Sequence, residues 1–371
     1  MGEYIMRKLM NKFEIIEDYR CECDVVHKLP NILILVTCAV LCGVDNIRSI
    51  VDYGKNKQGF FEKHFGFKDI PSESTLSRVL SVIDVSKVST IILEIMQELV
   101  GNEYKTIAID GKAIRSTHGD NAKEKLHVLT AYAVENGLCL SQIPVNEKTN
   151  EIPVFRDMLE FLDIKDKVVT ADAMACQKET VAKIIEKEGD YCIGLKGNQG
   201  TLHEDVCLYF AEMTDKRLYE IASTSEKSRD RYEKRTCFVF KDVSWLEQKG
   251  EWAGLKSIIA IRREVDKKGT KTSETSYYIS SLETQAEKFL KIVRSHWEIE
   301  ALHWCLDVVF NEDACLIQNT NAQLNLNIWR KFALTIHKNF KEKTSSKKSM
   351  KSNMFSCLLN DELLLQVCNI R

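Results

Sequence analysis

The sequence predicts an α/β protein with a mixed sheet and flanking helices, interrupted by a β-rich insertion and preceded by a helical domain. Residues 1–100 contain short helical patterns, whereas the apolar period changes to that of strands from Tyr104. The predicted order from there is three strands, helix, strand, helix and strand. That order is typical of a mixed sheet covered by helices.

The N-terminal domain, residues 1–100, is predicted from four helical segments. Pro71 and a serine-rich cap begin the third of them, where apolar residues then recur at helical spacing. No metal or nucleotide motif occurs in this domain, which we consider a candidate DNA-binding domain. The predicted helices are Asn31–Leu41, Asn46–Tyr53, Ser72–Ile83 and Val85–Val100.

Residues 101–200 are predicted to form the first part of the core. The turn Glu135-Asn136-Gly137 indicates a hairpin between the second and third strands. Helices are expected at Asn150–Leu162 and Lys178–Glu188. The predicted strands are Thr106–Asp110, His127–Ala133, Leu138–Val145, Lys167–Asp172 and Tyr191–Lys196.

The remaining chain is divided into three parts. Residues 201–290 are predicted as the β-rich insertion, with a helix at Leu202–Met213 and strands at Thr236–Phe240, Leu255–Arg262 and Ser276–Ser281. Residues 291–340 complete the core with a helix that carries Glu300 and a second helix at Ala322–Asn339. Residues 341–371 are expected to form a lysine-rich C-terminal tail.

Three carboxylates indicate the chemistry. Asp110 and Asp172 each end an apolar strand, and Glu300 lies in the later helix. An acid at the end of a buried strand is costly unless a cation meets it, so two such acids suggest a shared metal. Hard divalent cations such as Mg²⁺ take oxygen ligands, and two of them can hold the attacking and leaving oxygens of a phosphoryl transfer.

The helix around Glu300 has an unusually narrow polar stripe. His296, Glu300, His303 and Asp307 follow one another at i, i+4, i+7 and i+11, between an apolar face and two tryptophans. A surface helix that happens to carry two histidines is the plainer interpretation, and a zinc site formed by His296, Glu300 and His303 is a further alternative. Asp110-Gly111 also fits a common turn, and Asp172 fits a cap before the helix that begins at Lys178.

Composition is that of an ordinary soluble protein, with 44% hydrophobic and 29% charged residues and a net charge of −2. Its longest uncharged stretches are shorter than the roughly 20 residues of a membrane span, so we expect a cytoplasmic protein. The 13 scattered cysteines favour free buried thiols over disulfides. Basic runs at Lys227–Arg235, Arg262–Lys271 and Lys338–Lys351 are either solvated surface or sites for nucleic acid.

At these residues the chain resembles the DDE transposases of bacterial insertion sequences, specifically the H-repeat-associated group. The similarity extends to Pro71, Ser72 and Arg78, so it covers nearly the whole chain. Around residues 228–233 the family pattern Gly-His-Gly-Arg-x-Glu keeps only Arg231 and Glu233, and Glu298 replaces a glycine. The matching segments are Ala108–Ser116, Glu147–Ile152, Thr170–Lys178, Asp190–Gln199, Tyr277–Ser281, Arg294–Glu300 and Leu302–Asp313.

The resemblance implies an RNase H-like core with the insertion before the last catalytic helix. The catalytic and metal-binding acids of the family fall on Asp110, Asp172 and Glu300, which would hold two ions of Mg²⁺ or Mn²⁺. Asp307 would support these ligands without binding metal. The residues expected to contact DNA are Lys112, Arg115, Lys196, Asn198, Gln199, Arg231, Arg294, His296 and His303.

The implied activity is cleavage of element ends and transfer of the 3′ ends to target DNA. The implied partner is double-stranded DNA, on which the protein would assemble as a homodimer at the bacterial nucleoid, without a membrane. The rival interpretation is a domesticated or inactive protein derived from a transposase, which binds DNA and no longer cuts it.

Overall fold

The computed structural model describes residues 4–20, 25–114, 126–145, 151–216, 219–228 and 230–368. The N-terminal helices are α1 Tyr4–Phe13, α2 Leu29–Leu41, α3 Ile47–Asn56, α4 Gln58–Phe65, α5 Glu73–Val82 and α6 Val85–Val100. The Ser72 and Asp84 side chains accept hydrogen bonds from the first turns of α5 and α6. The cap at Ser72 agrees with the predicted serine-rich start of this helix. The prediction lacked α1 and α4.

The central part alternates strands and helices as expected. Its elements are β1 Thr106–Ile114, β2 Leu126–Ala133, β3 Leu138–Val145, α7 Glu151–Phe161, β4 Val168–Ala171, α8 Lys178–Glu186 and β5 Asp190–Leu195. Then follow α9 Gly200–Lys216, β6 Glu220–Ser228, β7 Arg231–Phe240, β8 Ser257–Lys267 and β9 Thr270–Ser280. The last helices are α10 Ala286–Val308, α11 Thr320–Thr344, α12 Met350–Leu359 and α13 Asp361–Val367.

In the described residues all nine strands belong to one sheet, in the order β3-β2-β1-β4-β5-β9-β8-β7-β6. Strand β4 runs parallel to β1 and β5, and the other neighbours are antiparallel. The predicted mixed α/β class is therefore confirmed. Strands β6–β9 extend the central sheet, because β9 pairs directly with β5 from Cys192↔Ser280 to Leu195↔Tyr277.

The predicted end of β1 at Asp110 is wrong. Strand β2 pairs with β1 as far as Ile114↔Leu126, so β1 continues four residues past Asp110. The parallel neighbour β4 stops earlier, at Ile109↔Ala171. Asp110 therefore lies inside its strand, beside the position where β4 ends.

The segment predicted as a lysine-rich tail contains two packed helices. Met354, Cys357, Leu364 and Val367 of α12 and α13 are buried in the same hydrophobic cluster as α2. Lys57 of the α3–α4 junction also forms an ion pair with Asp361, with 2.7 Å between Nζ and Oδ1. The C-terminal helices thus contribute to the N-terminal core. The five-part division of the chain stays a prediction.

Among the described residues, no helix combines the length and the hydropathy that crossing a membrane requires. The described cysteines are free thiols, and most of them are buried, as predicted. Cys21 and Cys23 lie outside the described residues.

Candidate active site

Two adjacent parallel strands bring the aspartates together. Asp110 follows Ile109 in β1, and Asp172 follows Ala171 in β4, and these two preceding residues are register partners. Helix α10 crosses over β1 and β4 and carries Glu300. Three residues that are distant in the chain therefore converge near the carboxyl-terminal end of β4.

Two histidines of the polar stripe, His296 and His303, face the sheet, and Glu300 is exposed in the cleft beside it. The apolar face of α10 is buried through Ile299, Leu302 and Leu306. His296 Nδ1 lies 3.1 Å from the Thr170 hydroxyl of β4. His303 Nδ1 lies 3.5 Å from Asp110 Oδ2. These contacts fix the rotation of the helix. The plainer interpretation, a surface helix that happens to carry two histidines, does not account for these two contacts.

Glu300 and Asp172 share an open cleft of about 490 Å³, which is also lined by His296, Trp297 and Lys196. Glu298 lies on another side of α10, in a separate surface pocket beside Tyr132 and Lys338. Glu298 and Glu300 are two residues apart, which on a helix separates their side chains by about 160°. The structure accordingly places them on different sides of α10.

Asp110 is the most enclosed of the three acids, with 25% of its side chain exposed. Burial is the main cause that raises the pKa of Asp110 to about 7. The hydrogen bond from the Gly111 N–H lowers this pKa, and the negative charges of Asp172, Glu300 and Glu151 raise it. Burial also raises the pKa of Glu300. Asp172 is exposed, so the expectation of two buried acids is correct for Asp110 and wrong for Asp172.

Asp172 caps the short 3-10 helix Ala173–Ala175, since its Oδ1 accepts a hydrogen bond of 3.0 Å from the Met174 N–H. The capping interpretation of Asp172 is thus correct, although the capped helix is not the one at Lys178. Gly194 of β5 approaches this turn closely, and a Cβ there would lie 3.1 Å from the Ala173 nitrogen. The turn after β4 is consequently held firmly against β5.

Within the described residues, no three His, Cys, Asp or Glu side chains are grouped as a ready metal site. The chemistry of the acids nevertheless fits a hard divalent cation. The negative charges of Asp172 and Glu300 repel the ionised form of Asp110, and a cation bound between the carboxylates would reduce this repulsion. The two histidines instead engage Thr170 and Asp110, which disfavours the zinc alternative.

Lys112 has a different role from the predicted phosphate contact. Its side chain is only 12% exposed, and its Nζ forms ion pairs with Asp307 and with the fully buried Glu312. Glu312 also accepts a hydrogen bond from Asn327 Nδ2. The lysine and Asp307 therefore join α10 to β1 next to the acids. His303 is similarly enclosed, with 13% of its side chain exposed, and faces Asp110.

The polar loop after β5 is partly structural. Asn198 Nδ2 donates a hydrogen bond of 2.6 Å to the Ala173 carbonyl, and Gln199 Nε2 donates one of 2.9 Å to the Cys176 carbonyl. Both side chains tie the loop to the turn that carries Asp172. Lys196 is exposed and lines the cleft, so its ammonium group is open to solvent there.

The remaining predicted basic residues lie around the cleft or outside the described structure. Arg231 pairs with Glu233, and Arg294 lies 3.6 Å from Glu226. Arg115 lies outside the described residues. The sequence indicated Arg235 and Arg263, which line the cleft, only as members of two basic runs, and it indicated no role for Glu312. The signal for Arg235 was its i, i+4 spacing from Arg231, which places both on one face of a strand.

Comparison with known proteins identifies the family. Residues 101–336 match a family model described as "Transposase DDE domain", and residues 10–96 match one described as "DDE_Tnp_1-associated". The chain belongs to the DDE transposase family. The family resemblance inferred from the sequence is thereby confirmed.

Relatives within the DDE transposase family cover most of the chain. A protein of Escherichia coli O157:H7 named "Putative transposase YncI" is 36% identical over 351 residues, which are 91% of this chain and 89% of that protein. "H repeat-associated putative transposase YhhI" of Escherichia coli K12 is 37% identical over 330 residues, or 85% and 86% of the two chains. The chain thus falls in the H-repeat-associated group.

A solved structure was also matched, the cryo-EM structure of a piggyBac transposase synaptic complex with hairpin DNA. The TM-score is 0.43 with 10% sequence identity, and the alignment covers 97% of this chain and 78% of that one.

Proposed function

We propose that the protein is a metal-dependent DNA transposase that cleaves the ends of an insertion element and transfers the 3′ ends to target DNA. The observation that carries this proposal is the convergence of Asp110, Asp172 and Glu300 from β1, β4 and α10, in a chain of the DDE transposase family. Phosphoryl transfer needs acidic ligands of this kind, and the exposed cleft leaves room for a nucleic-acid strand.

The topology supports an RNase H-like core. Strands β3, β2 and β1 form an antiparallel meander, and β4 and β5 continue the sheet in parallel after α7 and α8. The insertion, residues 201–290, then adds α9 and four strands before α10 returns to β1 and β4. On this proposal the last acid is supplied by a helix that follows the insertion.

Asp110, Asp172 and Glu300 would hold two Mg²⁺ or Mn²⁺ ions. When bound, such ions activate a water or 3′-hydroxyl and stabilise the leaving oxygen. His303 would orient the Asp110 carboxylate from 3.5 Å, and the ion pair of Lys112 with Asp307 would keep α10 against β1. Burial lowers the pKa of His303 to about 3, and the charges of Lys331, Lys112 and His296 also lower it. His303 therefore contacts Asp110 as a neutral ring.

The proposed partner is double-stranded DNA, at the element ends and at the target, bound by a homodimer at the bacterial nucleoid. Lys196 and Arg294 line the cleft and would meet phosphates of the bound strand. The N-terminal helices are a candidate domain for binding the element ends.

The deciding experiment is a cleavage assay with a supercoiled plasmid that carries the gene and its flanking DNA. The purified protein should cut at the flanks only with Mg²⁺ or Mn²⁺. Asp110→Asn and Asp172→Asn should each abolish cutting and leave duplex binding within about twofold, because each removes a ligand charge and keeps the side-chain shape. Full cleavage by either variant contradicts the metal-site proposal.

The same assay separates the rival function. A domesticated or inactive derivative would bind the flanking DNA specifically and leave it intact with every divalent cation tested. Specific binding without cleavage by the unaltered protein would therefore replace the transposase proposal with a DNA-binding one.

A further inference from the structure

One face of the sheet changes from apolar to arginine-rich where β7 and β8 extend past the packed part of α10. Close to the helix this face is formed by Cys237, Val239, Ile259 and Ile261, which pack against Phe289, Leu290 and Val293. Further along the same face, at two-residue spacing, come Arg235, Glu233 and Arg231 on β7 and Arg263 on β8. Such a change indicates that this end of the face serves a purpose other than core packing.

The arrangement is unfavourable by itself. Arg235 and Arg263 are direct register partners in the antiparallel pair, and like charges in that position destabilise a sheet. Glu233, with only 6% of its surface exposed, offsets the repulsion. It accepts a hydrogen bond of 2.8 Å from Arg263 Nε, and it forms ion pairs with Arg235 and Arg231.

Positive charge remains in excess after this pairing. Arg294 of α10 joins the three guanidinium groups, and both Arg294 and Arg235 lie within 4 Å of Glu226 on β6. Glu274 on β9 stands opposite Arg263. Within this cluster four arginines thus face three glutamates, while Lys196, Asp172 and Glu300 line the cleft beside it. Burial lowers the pKa of Arg235, and the nearby charge of Arg294 lowers it further.

Arg235, Arg263 and Arg294 line the same cleft as Asp172 and Glu300. A guanidinium group held in place presents two parallel N–H donors that match phosphate geometry. We propose that Arg235 and Arg263 bind phosphates of the DNA strand that enters this cleft, and that Glu233 is a positioning residue that holds both guanidinium groups. The inference rests on the proposed function and adds residues that define the path of the strand.

The first test measures duplex binding by fluorescence anisotropy across a series of salt concentrations. The double variant Arg235→Gln/Arg263→Gln should bind a labelled duplex about tenfold more weakly. Its slope of log affinity against log salt should be shallower by about 2, since each lost phosphate contact removes about 0.9.

The matched control is Lys227→Gln/Lys234→Gln, which removes two charges from the opposite face of the same sheet, on β6 and β7. Lys227 and Lys234 flank the Glu226↔Glu233 register pair and therefore point away from it. Equal loss of affinity and slope in the two double variants would overturn the phosphate assignment. If the double variant does not fold, Arg263→Gln alone replaces it in the test. The slope of log affinity against log salt should then be shallower by about 1.

The second test examines the positioning role of Glu233 by removing its negative charge. Glu233→Gln makes the cluster more positive, so attraction alone would maintain or tighten duplex binding. If Glu233 positions the arginines, cleavage at saturating DNA should fall about tenfold or more while binding is not weakened. Cleavage at the unaltered rate would overturn the positioning role. Glu233→Asp, which keeps the charge and shortens the reach, should also slow cleavage and serves if Glu233→Gln does not fold.

These measurements separate the inference from the proposed function. Binding and its salt dependence require no cleavage, so an arginine effect in a protein that never cuts DNA would overturn the transposase function only. An unaltered protein that cuts DNA, with arginine variants that bind and cut equally well, would overturn the inference only.

Discussion

Asp110 combines two properties that rarely occur together in one side chain, burial and close negative neighbours. Its Oδ2 lies 3.5 Å from a histidine that is itself neutral, and the charges of Asp172 and Glu300 repel its ionised form. Without a cation, the ionised Asp110 therefore destabilises the fold.

Asp110→Asn should accordingly stabilise the metal-free protein. The folded-state pKa of about 7 lies above the unfolded value near 4, so folding loses stability as pH rises between them. At pH 8 in EDTA the variant should have a free energy of unfolding higher by up to about 4 kcal/mol, and the difference should vanish below about pH 4. Chemical denaturation at both pH values measures this.

Mg²⁺ provides the control for that experiment. Millimolar Mg²⁺ should stabilise the unaltered protein and have a much smaller effect on Asp110→Asn, because the ligand charge is gone. A variant that is less stable than the unaltered protein at pH 8 in EDTA would contradict the raised pKa of Asp110.

Glu298 and Glu300 form a matched pair for the third acid. Glu300 lines the cleft with Asp172, whereas Glu298 lies in a different pocket beside Lys338. Glu300→Gln should eliminate metal-dependent cleavage, and Glu298→Gln should keep most of it. Parallel time courses of both variants, with folding checked by circular dichroism, measure this. An active Glu300→Gln beside an inactive Glu298→Gln would show that the third acid was wrongly assigned.

At the scale of elements, helix α10 was the most predictable part of the site. Its spacing of His296, Glu300, His303 and Asp307 reports one face directly, because the helical period depends on local geometry alone. The partners of that face were less predictable. That Lys112 pairs with Asp307 and Glu312 depends on the docking of α10 and the following turn onto β1, which the sequence pattern does not encode.

The strands show a similar division. Apolar runs revealed β4 and β5, whereas β6 was missed because seven of its nine residues, all except Ile221 and Ala222, are polar or charged. Most of its length is exposed, so its place in the sheet comes from pairing with β7. Likewise, the continuation of β1 past Asp110 follows from its pairing with β2, a contact between distant parts of the chain.

The ion pairs between β1 and the turn after α10 predict a strong effect of one substitution. Glu312→Gln leaves the Lys112 ammonium with Asp307 alone in a largely enclosed position. Because Lys112 keeps Asp307, we expect a destabilisation of about 1–3 kcal/mol, that of one lost buried partner, and not the larger loss of an unpaired buried charge. Urea denaturation measures the loss, and the exposed Glu264→Gln is the control, with a change of at most about 0.5 kcal/mol. Equal midpoints for the two variants would contradict the role given to Glu312.

At the scale of the whole molecule, charge is distributed unevenly despite the net charge of −2. Lys338 is an internal residue of α11, with its Nζ 3.2 Å from the Tyr132 hydroxyl. The exposed lysines of the C-terminal basic run are Lys343, Lys347, Lys348 and Lys351. They lie between and on helices that pack into the N-terminal core, so the run is held at a defined place on the surface.

Replacing those four lysines by glutamine should weaken binding to any duplex to a similar degree and make the salt dependence shallower. The physical reason is that such contacts reach phosphates and not bases. Anisotropy titrations with two unrelated duplexes measure it. Unchanged affinity and unchanged slope would mean that this run is ordinary solvated surface.

The long separation between Asp172 and Glu300 has a consequence for how such a gene decays. Residues 4–280 contain β1, β4 and the whole described sheet, so a stop codon or frameshift after codon 172 and before codon 300 yields a chain with two acids and no third. Such a chain also lacks α10 and α11, whose apolar side chains belong to the main hydrophobic core. We expect a chain that ends at residue 285 to show no Mg²⁺-dependent cleavage and a lower free energy of unfolding than the intact chain, and cutting by that chain would refute this. One late mutation would then remove activity and stability together, so that broken copies are degraded and do not compete with intact copies for DNA ends.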